Sequence, residues 1–340
     1  MEKIQYREET DTSKKYKEAY LNGIEQVIAA REESACKQRD RYARNIFREQ
    51  ERYRKDLRSM LGWPLTKVRE HTLPPVKMEQ LAEEKQCSVY RVSVEILEGC
   101  EMTGLLFRKS GDRCPLVIVQ HGGEGTPEVI SNFYGNTYNY NEMLERVFAQ
   151  GVHVFAPQLL LWNKSEYKVG YDRIALDARL KRVGSSITAV EVYGIMRIID
   201  YFEAQDYVSG FGMAGLSYGG FYALFTAALD TRIKSTISCS FYNERSKIAW
   251  PDWTWYCAED LFCDAEVACL IYPRKLCIEV GKNDEVFNVE GARKEIHRLK
   301  KMCSEVGLEW VNYMEFDGAH EFCLEDEPLK RLAEDIREKK

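Results

Sequence analysis

The chain has 340 residues, 45% of them hydrophobic and 30% charged, which excludes a disordered, collagen-like or disulfide-scaffold protein and allows about two domains, or one large α/β domain with an appendage. Fifty-four acidic against forty-eight basic side chains leave a formal charge of −6, so a nucleic acid is excluded as the main partner. Eleven cysteines include no C-x-x-C pair, and the six-residue spacing of Cys257, Cys263 and Cys269 matches no common zinc site; reduced thiols and no structural metal are expected.

The first residues carry charges where a secretory signal needs an apolar stretch, which predicts a cytoplasmic protein. Residues 1–62 are dense in charge and nearly free of Gly and Pro, and Tyr42, Ile46, Phe47, Tyr53, Leu57 and Leu61 recur at helical intervals. Two helices are predicted, the second ended by Gly62, Trp63 and Pro64. Residues 1–65 are therefore expected to form a helical extension that serves packing or homo-oligomerisation, ahead of a main domain over 66–340.

From residue 90 the pattern alternates, with Tyr90, Val92, Val94 and Ile96 on one face, as in a half-buried antiparallel strand. A second strand is predicted over 102–108 and, after the turn at Ser110, Gly111 and Asp112, a doubly buried one over 116–119. Helices over 141–149 and 185–202 then alternate with strands over 152–156 and 208–214. Further strands are predicted over 235–240, 276–280 and 310–316, an order that argues a mostly parallel sheet with helices on both faces. Insertions at 157–184, with Trp162, Tyr167 and Tyr171, and at 241–262, with Trp253 and Trp255, follow strand ends and are placed to cap a pocket.

Residues 207–229 are uncharged and long enough to span a bilayer, yet their glycines fit strand, turn and helix better, so no membrane span is expected. Two motifs overlap there. Gly210 to Gly215 fits G-x-G-x-x-G, but too few apolar residues precede it for a dinucleotide-binding first strand, and Asp230 comes too soon to be the ribose acid. Gly215-Leu216-Ser217-Tyr218-Gly219 fits G-x-S-x-G, the elbow that presents a nucleophilic serine, with an apolar strand before it and a helix over 221–229 after it.

A serine nucleophile in that setting is followed in the chain by its acid and then its histidine. Of the two histidines after Ser217, His297 falls on a solvated amphipathic helix, while His320 stands just past the last strand and is the candidate base. The candidate acid is Asp284, at the end of the 276–280 strand, with Asp260 as the alternative. Donors to a developing oxyanion would come from the backbone of Tyr218 and of Gly122 or Gly123, with His121 structural.

These residues, HGG at 121–123, GLSYGG at 215–220, GKND at 281–284 and DGAH at 317–320, resemble the α/β-hydrolases over about 86–340. The segment from Asp260 to Asp284, and the extension ending in Leu61-Gly62-Trp63-Pro64, look like the dienelactone hydrolase and acetyl xylan esterase group. The resemblance implies an α/β-hydrolase fold, Ser217 as nucleophile, Asp284 as acid, His320 as base, a small ester as substrate and no cofactor. One departure is Pro157-Gln158-Leu159-Leu160-Leu161-Trp162, where such esterases often carry an Asp-x-x-Gly turn, so the entrance is expected to be reshaped, with Trp162, Trp253 and Trp255 as candidate substrate contacts. GLSYGG also resembles prolyl oligopeptidase-like peptidases, and a non-catalytic hydrolase-fold binding module is the third possibility.

Overall fold

The computed structural model describes residues 3–64, 72–111, 113–162 and 169–337. The strands are β1 (Val76–Glu83), β2 (Cys87–Leu97), β3 (Cys100–Lys109), β4 (Cys114–Gln120), β5 (His153–Pro157), β6 (Val208–Leu216), β7 (Ile233–Cys239), β8 (Lys275–Gly281) and β9 (Val311–Phe316). Among the described residues they form one sheet in the order β1-β2-β3-β5-β4-β6-β7-β8-β9. Pairing is antiparallel from β1 through β3 to β5 and parallel from β5 to β9.

The helices are α1 (Thr10–Tyr42), α2 (Gln50–Leu61), α3 (Pro127–Ile130), α4 (Met143–Phe148), α5 (Arg173–Arg182), α6 (Ile187–Glu203), α7 (Tyr218–Leu229), α8 (Ala258–Leu261), α9 (Asp264–Cys269), α10 (Val289–Met302) and α11 (Glu327–Ile336). Alternation along the central strands divides the core in two, because successive side chains point to opposite faces. Leu116 and Ile118 of β4 pack with α2, α6, α7, α9 and α10. Val117 and Val119 of the same strand pack with α3, α4 and α11.

Local signals account for several helix boundaries. Gly62 closes α2 in the left-handed region at φ 73°, and a Cβ there would lie 2.9 Å from the Ser185 backbone, so only glycine lets the chain pass. Ser186 caps α6 by accepting from the Ala189 amide, while its hydroxyl donates to Leu61 O at 2.6 Å and ties α2 to α6.

The sequence reading missed β1. Its residues Val-Lys-Met-Glu-Gln-Leu-Ala-Glu form an edge strand with only Val76 partly buried, so it shows no apolar alternation, and its charges protect an open edge. Residues 207–229 divide into β6 and α7 as expected, and among the described residues no helix is long and apolar enough to cross a membrane. The G-x-G-x-x-G segment lies within β6. Its glycines make room for neighbours: a Cβ at Gly210 would come within 2.8 Å of Ile336 O and one at Gly212 within 3.2 Å of the Ile336 side chain.

Candidate active site

The site lies at the carboxyl ends of the parallel strands. β6 stops at Leu216 and α7 starts at Tyr218, so one residue makes the reversal. Ser217 does so at φ 61°, ψ −120°, a conformation that costs a non-glycine residue about 1–3 kcal/mol and persists only where the surroundings impose it. They do: a Cβ on Gly215 would sit 2.3 Å from Gly219 O, and one on Gly219 would sit 2.1 Å from Gln120 O. The Ser217 amide donates to Cys239 O of β7 at 2.9 Å.

Asp284 follows β8, and its carboxylate is fixed from both sides. Oδ1 accepts from the amides of Val286 at 2.8 Å and Phe287 at 2.9 Å, and Oδ2 lies 2.9 Å from His320 Nδ1. An ionised carboxylate only accepts, so Nδ1 carries the ring proton and Nε2 is left as the acceptor. The His320 loop, just past β9, is itself tethered: Asn139 Nδ2 donates to His320 O at 2.9 Å and Ser240 Oγ to Glu321 O at 3.1 Å. Asp260, the alternative acid, is on α8 and pairs with Arg31 of α1. His297 is exposed on α10.

His121 is fully buried. Its Nε2 accepts from the Leu159 amide at 3.1 Å and its Nδ1 meets Gly122 O at 2.9 Å; burial pulls the imidazole down to about 4. It is a neutral ring that fixes the loop after β4. The two glycines that follow are not equivalent. The Gly122 amide donates to Tyr140 Oη at 2.8 Å, so of the pair it is Gly123 whose amide is left for a ligand. The Tyr218 amide opens α7, where a helix has no internal acceptor for it.

Ser217, His320, Gly122, Gly123, Trp162 and Trp250 line one cavity of about 390 Å³. Trp162, in the segment after β5, stands over Gly123, and its ring is 4.9 Å from that of Trp250. Trp250 stacks on Tyr218 at 5.3 Å and 8°. Two of the expected contacts are corrected here. Trp253 and Trp255 are 2% and 6% exposed and stack on Phe221 inside the core, because the 3₁₀ turn at Pro251–Trp253 directs them inward and leaves Trp250 at the cavity. Tyr167 lies outside the described residues.

A buried charge network, which the sequence reading missed, joins the two inserted segments behind these rings. Arg173 Nε reaches Asp252 Oδ2 at 2.7 Å, and its other nitrogens reach Glu191 at 3.1 Å and Tyr222 Oη at 2.9 Å. Tyr218 Oη donates to the same Asp252 oxygen at 2.9 Å. Burial alone would lower the Arg173 guanidinium, but the charges of Glu191 and Asp252 hold it raised. Beneath the site, Glu279 of β8 is buried, with Oε2 lacking a partner among the described residues. That burial pushes its carboxyl up to about 7.

No family model matches the chain. YtaP of Bacillus subtilis (strain 168), named a hydrolase by inference, is 27% identical over 240 residues that cover 65% of this chain and 78% of that one. Among solved structures, a protein of Bacteroides fragilis NCTC 9343 assigned as an acetyl xylan esterase is similar at a TM-score of 0.63 and 13% identity, over 80% of this chain and 76% of its own. The glucuronoyl esterase from Solibacter usitatus is similar at 0.61 and 14%, over 85% and 92%. The elbow between β6 and α7, the strand order and these likenesses together establish the α/β-hydrolase fold for this chain.

Proposed function

We propose that the protein is a serine hydrolase that cleaves a small carboxylic ester through an acyl-enzyme. One observation carries this reading: a serine in elbow geometry faces the same cavity as a histidine whose Nδ1 is held by a carboxylate. Ser217 Oγ attacks the ester carbonyl and gives its proton to His320 Nε2, while Asp284 stabilises the imidazolium. The amides of Tyr218 and Gly123 receive the oxyanion. On collapse, His320 passes the proton to the leaving alcohol. Water, deprotonated by the same nitrogen, then attacks the acyl-enzyme; the bond to Ser217 Oγ breaks, His320 returns the proton to that oxygen, and the acid leaves.

In this reading residues 66–340 form the catalytic domain, with 157–184 and 241–262 capping the cavity. Residues 1–65 form an extension whose free surface is left to association between copies. The cavity volume is at the small end of ligand pockets, which favours a short acyl chain. Flat indole faces at Trp162 and Trp250 suit a sugar ring or an aryl group. The names of the similar proteins, acetyl xylan esterase, glucuronoyl esterase and hydrolase, support an acetylated carbohydrate as the first substrate to try.

The test is hydrolysis of p-nitrophenyl esters from acetate to octanoate by wild type and Ser217→Ala in parallel, with fluorophosphonate labelling of both. Activity that peaks at acetate, with labelling confined to wild type, is the expected result. Equal rates in the two proteins, or an unlabelled Ser217, would leave a binding module. Faster turnover of aminoacyl anilides than of the acetate would make the protein a peptidase.

A further inference from the structure

The first half of α1 takes no part in the site. This helix has 33 residues and at 1.5 Å per residue is about 50 Å long. Its C-terminal part is anchored: Ala35 and Arg39 are buried, Arg39 pairs with Glu259 and Glu266, and Asp40 pairs with Arg298 at 2.8 Å. Residues 13–34, by contrast, are exposed throughout.

The exposed length is not polar all round. Tyr16, Tyr20, Leu21, Ile24, Val27 and Ile28 are 40 to 74% exposed, and their spacing by three, four and seven puts them along one side. At 100° per residue that side runs on into Arg31 and Ala35, the face α8 covers farther along. A packing face thus continues beyond the body that it packs on. A single helix standing in water is marginal, and an apolar stripe of this length is more than a monomer usually leaves bare.

We infer that the stripe is covered by the α1 of a second copy of this chain, antiparallel and centred near Gly23. Charge decides the direction. Lys14 and Lys17 lie towards one end of the stripe, and Glu25 and Glu32 towards the other. An antiparallel partner sets Lys14 of one copy beside Glu32 of the other, twice by symmetry, whereas a parallel partner sets like charges level. Gly23 borders the stripe at its midpoint and has no side chain to hold a partner away. The six side chains leave on the order of 700 Å² bare per copy, so two stripes together bury about 1,400 Å², the size of a stable interface. A lipid surface is disfavoured, since Glu18, Glu25 and Glu32 border the stripe where an interfacial helix carries cations.

Light scattering on the full chain should give twice the 39.5 kDa of one copy. Ile24→Glu with Val27→Glu should weaken association at least about 100-fold, with the near-ultraviolet circular dichroism of the body unchanged because both side chains are outside the core. Lys14→Glu with Lys17→Glu, and separately Glu25→Lys with Glu32→Lys, should each weaken the dimer, and an equimolar mixture of the two should restore it. A short bismaleimide should join Gly23→Cys to itself above the wild-type background set by exposed Cys36, and Lys14→Cys should not rise above it. A wild type that stays monomeric, a dimer that survives Ile24→Glu with Val27→Glu, or self-linking at Lys14→Cys equal to that at Gly23→Cys would overturn the inference. So would a monomer that binds anionic phosphatidylserine vesicles through the stripe.

Discussion

The floor of the cavity hangs from strand ends by main-chain hydrogen bonds, as at the Ser217 amide on Cys239 O and the Asp284 carboxylate on two amides. Its roof, Trp162 and Trp250, is braced instead by side-chain charge buried between two insertions, with Arg173 joining Glu191 to Asp252. Main-chain anchors survive most side-chain changes, so the floor can keep one geometry while the roof is exchanged. Under the proposed function, the difference separates the chemical step from the contacts that choose the substrate.

The largest effect should come from the floor. Asp284→Asn keeps the shape but cannot accept the Nδ1 proton while offering Nε2 as base, so kcat should fall by about 10⁴ with KM little changed. Steady-state kinetics on p-nitrophenyl acetate would show it, and a fall of less than tenfold would detach Asp284 from the mechanism.

The next effect belongs to the roof. Arg173→Met leaves Glu191 and Asp252 buried without their cation and should lower unfolding free energy by about 3–5 kcal/mol, read by urea denaturation. Adding Glu191→Gln and Asp252→Asn should recover much of the loss, and failure to recover would mean that Arg173 stabilises by packing alone.

The floor also contains a group that is stable only when protonated. Glu279 has its ordinary value near 4.5 in the unfolded chain and about 7 in the folded one, so between those values the native state holds more protons. Its contribution is full below about 4.5, declines as pH rises to about 7, and stays lost above that. Glu279→Gln should flatten that decline and stabilise the fold at pH 8 by at most about 3 kcal/mol, read as a higher melting temperature. Glu295, raised to about 8 by burial and by the charges of Glu266 and Asp264, keeps some slope in the variant.

The smallest effect returns to the roof. Trp162→Ala should raise KM for the preferred ester by roughly tenfold with kcat nearly kept. Equal losses in kcat and kcat/KM would move Trp162 from substrate choice to the reaction itself.

What could be read from the chain follows the same division. β4 is buried on both faces and appears as the apolar run Leu116 to Val119, and the elbow is spelled by glycines that no other residue can replace. Asp284 and His320 stand at strand ends, where position in the chain implies position in space. β1 is silent because an edge strand with one partly buried residue has no pattern to show. The roof was legible only as a concentration of tryptophan. Whether Trp250, Trp253 or Trp255 reaches the cavity depends on one 3₁₀ turn and on a salt bridge between residues 79 positions apart. Tyr140 closing off the Gly122 amide depends on a loop contact that carries no local signal.

The strand order has a consequence for how the protein is made. Apart from the exchange of β4 and β5, neighbours in the sheet are neighbours in the chain, so during synthesis each new strand can add to an edge already present. Ser217 arrives at the end of β6, Asp284 after β8, and His320 only after β9. A nascent chain thus carries Ser217 without His320 until β9 has been made, and the pairing on which the proposed function rests can form only after that point.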